Sequence, residues 1–142
     1  MKAIVPLALL AVFLAGCAVT KSFITDAQVI GPYSPAVKVG NTLYVSGQIA
    51  MKPGTTELAA PDIEIQTHQV LDNLKGILAK AGYEMADVVQ CTVYLKDIKE
   101  FTKMNQIYES YFVQGRFPTR TTVEVSDLPK NARIEVTAIA SK

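Results

Sequence analysis

Arg120 stands in the stretch FPTRTTVEVSDLP, residues 117–129, where one guanidinium interrupts a run of threonine and valine bounded by Pro118 and Pro129. Threonine or valine would extend a strand there at lower cost. A guanidinium offers a planar fork of donors that grips a carboxylate through two parallel bonds, which lysine cannot reproduce. Strand alternation assigns its neighbours: Arg120, Thr122 and Glu124 share one side, and Thr121, Val123 and Val125 the other. In ARIEVTAIA, residues 132–140, the same rule sets Arg133, Glu135 and Thr137 against Ile134, Val136 and Ala138. In TLYVSGQI, residues 42–49, it sets Tyr44, Ser46 and Gln48 against Leu43, Val45 and Ile49. If helices cover the apolar sets, Arg120, Glu135 and Ser46 belong together on the sheet face away from them. A nearby arginine would depress the Glu135 pKa and keep it ionised, which suits a base or water anchor better than an acid. The alternatives are a solvated face of an antiparallel sheet and an ion pair of Arg120 with Glu124 or Glu135.

The elements that must hold these residues follow from pattern. AVKVGNTLYVSGQIA, residues 36–50, reads as two strands joined at Gly40-Asn41, a turn dipeptide. IEIQTHQVLDNLKGILAKAG, residues 63–82, carries Val70, Leu74, Ile77, Leu78 and Ala81 at helical spacing, with Gly82 as its cap. DVVQCTVYLKD is a strand, and KEFTKMNQIYESYFVQG places Phe101, Met104, Ile107, Tyr108, Tyr111 and Phe112 on one helical face. Two strands joined by SDLPKN close the chain. The order is α+β, with both helices packed on one face of the sheet. Gly47 interrupts a strand, where glycine marks a bulge or the close approach of another backbone. The polar face is rich in Thr, Tyr, Ser and Gln rather than lysine, a composition suited to being covered by another copy of the chain.

Composition removes several classes of function. The 142 residues, 49% hydrophobic, suffice for one core. A formal charge of +1 without basic runs gives nucleic-acid binding weak support. Two cysteines and one histidine carry neither a disulfide framework nor a common zinc signature. Cys91 reads as an inert buried thiol, and His68 as a solvated surface residue.

The first seventeen residues, MKAIVPLALLAVFLAGC, differ from the rest. One lysine precedes an apolar run from Ala3 to Leu14, too short to span a bilayer comfortably and fit to be the hydrophobic part of an export signal. Leu14-Ala15-Gly16-Cys17 resembles the lipobox of bacterial lipoproteins, whose cysteine takes a diacylglycerol, and Ala18 resembles outer-membrane sorting. An ordinary secretory signal with an incidental Cys17 is the alternative. The expected division is a signal peptide over 1–16, a lipid-anchored tether over 17–28 and a domain over 29–142, held at a bacterial membrane facing the periplasm. Removing 1–16 takes away Lys2 alone among charged residues, leaving 13 basic against 13 acidic.

IGPYSPAVKVGNTLYVSGQI, LDNLKGILAKAG, TVYLKD, FTKMNQIYESYF and FPTRTTVEVSDLPKNARIEVTAIA resemble, in order and spacing, successive blocks of the reactive intermediate deaminase family, RidA or YjgF-like proteins. The resemblance runs from about Ile30 to Ala140. It implies a chorismate-mutase-like fold, a homotrimer whose sheets face inward as a barrel, and ligand clefts between subunits. The implied activity is hydrolysis of 2-imino acids such as 2-iminobutanoate and 2-iminopropanoate to 2-keto acids and ammonia, with no cofactor and no metal. Arg120 matches the family's motif arginine, and Glu135 its acidic residue that orients or deprotonates the attacking water. By the same resemblance Tyr33 closes over the ligand, Ser46 supplies a small hydroxyl beside Gly47, and Asn105 contacts ligand or makes a structural hydrogen bond across the subunit interface. Thr122 stands where many members carry cysteine, so thiol chemistry is lost there while its backbone carbonyl still holds water. Ala50 replaces a common proline, and Thr137 a frequent second glutamate. An exported, non-catalytic binder of small carboxylates or keto acids is the competing function. Ribonuclease activity, an older label of the family, finds no support in charge or acid-base constellation.

Overall fold

The computed structural model describes residues 19–142, so Cys17 and the lipobox lie outside the described residues. Six strands form one mixed sheet: β1 (Lys21–Ile24), β2 (Ala36–Val39), β3 (Thr42–Ile49), β4 (Val88–Leu95), β5 (Thr119–Glu124) and β6 (Ile134–Ser141), in spatial order β1-β2-β3-β6-β4-β5. All pairings are antiparallel except that of β4 with β5. Two helices, α1 (Ile63–Lys80) and α2 (Phe101–Glu109), cover one face, as the sequence pattern requires. β1 lies within the stretch expected to be a free tether. Its four residues pair with β2, whose outer edge would otherwise be unpaired, and Phe23 stands opposite Val37.

The first helix is fixed at both ends and along one stripe. Asp62 caps it by accepting from the backbone N–H of Glu64 and of Ile65, at 2.9 and 3.0 Å. Its buried stripe, which includes Val70, Leu71, Leu74, Ile77 and Leu78, meets Leu43, Val45, Val93, Ile134 and Val136 of the sheet. Gln66 is buried in that stripe, and both ends of its amide are used: Nε2 donates to the Ala59 carbonyl and Oε1 accepts from the Arg133 N–H at 2.9 Å. That pair of bonds ties α1 to the start of β6, the strand that carries Glu135.

Two departures from simple alternation decide where the polar residues point. In β3 the register against β6 shifts between Val45 and Gln48, a bulge at Ser46-Gly47. One extra residue reverses the parity beyond it. Gln48 therefore pairs with Val136 on the helix side, while Ile49 pairs with Glu135 on the open side, the reverse of the placement expected from strict alternation. In β5, Arg120 pairs with Cys91 and Thr122 with Val93, both core residues beneath the helices. Arg120 and Thr122 thus face the helices, not the open face. Val123 and Val125 misdirect the pattern because the apolar side of this edge strand looks away from the helical core. Val125 packs instead in a second small cluster with Ile49, Leu128, Ala132 and Tyr94.

The open face also carries apolar side chains that nothing in the described chain covers. Phe23, Val37, Tyr44 and Ile139 form one row across β1, β2, β3 and β6. Phe23, Tyr44 and Val123 are exposed.

Candidate functional site

The structure sorts the sequence-predicted residues into two groups on opposite sides of the sheet. Asn105 and Arg120 belong to the first, a pocket of about 300 Å³ between α2 and the edge strand that is also lined by Tyr108, Glu109, Phe117 and Pro118. Arg120 Nη2 donates to Asn105 Oδ1 at 2.8 Å. Its guanidinium carbon lies 4.5 Å from the centroid of the Tyr108 ring and 5.5 Å from that of Phe101. The hydrogen bond of Asn105 thus lies within the chain, to Arg120, rather than across an interface. Among the described residues no carboxylate pairs with Arg120. Glu124 is engaged elsewhere, accepting from the Ile98 N–H at 2.8 Å.

Two buried oxygens on this side of the sheet make no hydrogen bond of ordinary geometry. Thr122 Oγ1 and the Tyr108 hydroxyl are both buried without a partner. Burial, followed by the neighbouring Cys91 thiol, pushes the Tyr108 pKa well up, so the phenol stays neutral. Burial likewise pushes up the Cys91 thiol, consistent with an inert core cysteine.

Tyr33, Ser46 and Glu135 line the second pocket, of about 220 Å³, with Ile30, Gly47, Ile49 and Pro129. The β3 bulge builds it. A Cβ on Gly47 would fall 1.8 Å from Glu135 Oε1 and 2.8 Å from its carboxyl carbon, so the absence of a side chain is what seats the carboxylate. The bulge expected at Gly47 is present, but what approaches it is the Glu135 side chain rather than another backbone. Gln48, turned inward, satisfies the bulge carbonyls by donating from Nε2 to those of Ser46 and Gly47 at 2.9 and 3.2 Å. Ser46 Oγ donates to the Ser34 carbonyl at 2.7 Å, pinning the loop that carries Tyr33. The Tyr33 ring packs over Gly31, and its hydroxyl accepts from the Ile30 N–H at 3.4 Å.

The expected meeting of Arg120 with Glu135 on one face does not occur, because β5 presents Arg120 on the helix side and β6 presents Glu135 on the open side. The electrostatics of Glu135 change with it. No arginine depresses its pKa; burial raises it above the ordinary value. A folded-state pKa above the unfolded one means that this group's contribution to stability is fully present below the unfolded value, about 4.3, and is lost as pH rises through the folded value. Glu135→Gln removes that slope. For the dissociated subunit the difference in thermal midpoint, wild type minus variant, is expected to fall across the window when both are followed by calorimetry against pH. A slope of opposite sign would mean that a cation from elsewhere sits beside the carboxylate.

Sequence reasoning missed Phe101 and Tyr108 as partners of Arg120, assigning both to the apolar stripe of the second helix. Positions 101, 105 and 108, one per turn, were the available signal. His68 is exposed, its Nδ1 lying 3.0 Å from the Tyr111 hydroxyl. Among the described residues no group of three His, Cys, Asp or Glu is placed to hold a metal ion.

The arrangement has counterparts among known proteins. The sequence profile of the family described as Endoribonuclease L-PSP matches residues 23–142. A RutC family protein of Pyrococcus horikoshii is 53% identical over 113 residues, covering 80% of this chain and 89% of its own length. The 2-iminobutanoate/2-iminopropanoate deaminase of Escherichia coli K12 is 44% identical over 113 residues, 78% of this chain and 88% of that protein. The crystal structure of a putative endoribonuclease from Thermotoga maritima superposes with a TM-score of 0.82 at 44% identity, over 87% of this chain and 98% of that one.

Proposed function

The chain belongs to the RidA/YjgF (L-PSP) family, and from that premise we propose that it is a hydrolytic deaminase converting 2-iminobutanoate, 2-iminopropanoate and related 2-imino acids to 2-keto acids and ammonia. One observation carries the mechanism. Among the described residues neither pocket contains a formed ion pair: Arg120 pairs with no carboxylate, although Glu109 lines the same pocket, and no cation lines the pocket of Glu135. Two faces of one sheet cannot converge, whereas two copies of the chain bring them together. The proposed assembly is a homotrimer in which the open face of one subunit, with its row of Phe23, Val37, Tyr44 and Ile139, is covered by the next.

In the assembled cleft the substrate carboxylate takes the free donors of Arg120, which fixes the C=N carbon within reach of a water held by Glu135 of the partner subunit. Glu135 accepts a proton as the water oxygen bonds to that carbon. Glu135 returns that proton to nitrogen; the hydroxyl of the tetrahedral adduct then gives its own proton to the amine, again through Glu135, as the C=O bond forms and the C–N bond breaks, and ammonia leaves. A carboxyl whose pKa is raised by burial is a stronger base than an ordinary glutamate, which suits a group that must accept the proton and then give it back. Tyr33 and Ser46 are proposed to bound the ligand beside Glu135, and the Thr122 carbonyl to hold water. The same proposal places the domain outside the cytoplasm, anchored through an acylated Cys17, on the strength of the Leu14-Ala15-Gly16-Cys17 run alone. Binding of small carboxylates without turnover is the competing function, and it shares the Arg120 pocket.

The test uses two inactive variants. Arg120→Ala and Glu135→Ala are each assayed alone, then mixed, dissociated and reassembled. Imine is generated by an amino-acid oxidase, and ammonia and keto acid are followed. Recovery to about a quarter of wild-type acceleration is expected, the share of interfaces that pair two unaltered residues. No recovery on mixing would dismiss the shared site, and wild type no faster than buffer would dismiss turnover.

A further inference from the structure

We propose that Phe101 and Tyr108 are positioning residues that hold the Arg120 guanidinium by its faces so that its edge stays free for a carboxylate, an inference that rests on the deaminase site above. An arginine on an edge strand is ordinarily fixed by an ion pair, which occupies the donors a ligand needs. Here the side chain is fixed differently. Of five N–H donors, one goes to Asn105. The rest of the restraint comes from two ring faces, with centroids 4.5 and 5.5 Å from the guanidinium carbon, inside the range in which a ring quadrupole attracts a cation. Rings restrain the guanidinium without consuming a single N–H. They also dry it on two sides, which strengthens whatever anion meets its edge.

The three contacts come from residues 101, 105 and 108, successive turns of α2, so the helix acts as one rigid jig. The two rings differ in a way that makes the idea testable. Phe101 is 38% exposed, and its size is not explained by the core. Tyr108 is only 3% exposed, and its hydroxyl, beside the Cys91 thiol, makes no hydrogen bond to Arg120, so the ring rather than the oxygen accounts for its contact with Arg120.

Binding of 2-oxobutanoate, a non-reacting product of the proposed reaction, is measured by titration calorimetry to full-length wild type, Phe101→Leu, Tyr108→Leu, Tyr108→Phe and Arg120→Ala, together with KM and kcat for the imino acid. Phe101→Leu is expected to raise Kd and KM about threefold and Tyr108→Leu about tenfold. In both, kcat stays within about twofold, because carboxylate recognition is shared by substrate and transition state. Tyr108→Phe is expected to restore wild-type Kd, and Phe101→Leu to melt with wild type. Unchanged Kd in Phe101→Leu with wild-type melting, or Tyr108→Phe as weak as Tyr108→Leu, overturns the inference. Failure of the deaminase function shows separately, as wild type that binds 2-oxobutanoate but does not accelerate hydrolysis. Arg120→Ala that binds as wild type does would remove the anion site and this proposal together.

Discussion

Arg120→Ala is expected to lower kcat/KM for 2-imino acid hydrolysis by about 10³ or more, and Arg120→Lys by about 10². The asymmetry follows from geometry. The guanidinium sits against Asn105 and two ring faces, and no carboxylate among the described residues takes its remaining donors. Lysine keeps the charge but loses the planar fork and the flat stacking surface, so it retains attraction without orientation. Alanine loses both. The assay is the oxidase-coupled release of ammonia and keto acid, with the rate in buffer subtracted because imines also hydrolyse unaided. Since Arg120 supports no ion pair within the described subunit, neither variant should shift the thermal midpoint by more than a few degrees. Arg120→Lys with undiminished acceleration would end the carboxylate-clamp mechanism.

Gly47→Ala is expected to cost as much activity as deleting the Glu135 carboxylate, about 10² or more, although position 47 is not itself a reacting group. A Cβ there would lie 1.8 Å from Glu135 Oε1, far inside contact distance. The β3 bulge must then open or the carboxylate must leave its seat, and either costs about 2 kcal/mol of stability. The double variant Gly47→Ala with Glu135→Ala separates cause from effect. It should recover much of the thermal midpoint lost in Gly47→Ala while losing no further activity beyond Glu135→Ala, a strongly non-additive pair. Calorimetry and the coupled assay on the four proteins read this directly. Additive losses in both quantities would show that Gly47 and Glu135 act independently.

The order of elements, the Gly40-Asn41 turn, the α1 stripe and the helix-on-one-face architecture were legible because each depends on local spacing or on a single special residue. What alternation could not supply was the side of the sheet on which β5 and the end of β3 present their residues. Counting by twos assumes that no residue is inserted, and the Ser46-Gly47 bulge inserts one, exchanging Gln48 and Ile49. Gly47 signals a bulge in the sequence, but a glycine alone does not tell whether a residue is inserted, and so leaves the parity of Gln48 and Ile49 open. For β5 the failure is different. Val123 and Val125 mark the apolar side correctly, yet that side faces away from the helical core, so the assumption that helices cover every apolar set breaks at this edge strand. Of the candidate site, the residues were named from the motif blocks, whereas their division into two half-pockets required the register. β1 escaped notice because four residues leave too little pattern to count.

The parallel pairing of β5 with β4 through α2 has a consequence for how the chain folds. Every other strand pair is antiparallel, but β5 can join the sheet only after the crossover segment between residues 96 and 118 has doubled back. Arg120 and the three residues of α2 that touch it therefore depend on the same crossover, and a chain in which β5 has not joined the sheet would lack the anion receptor even with Glu135 seated.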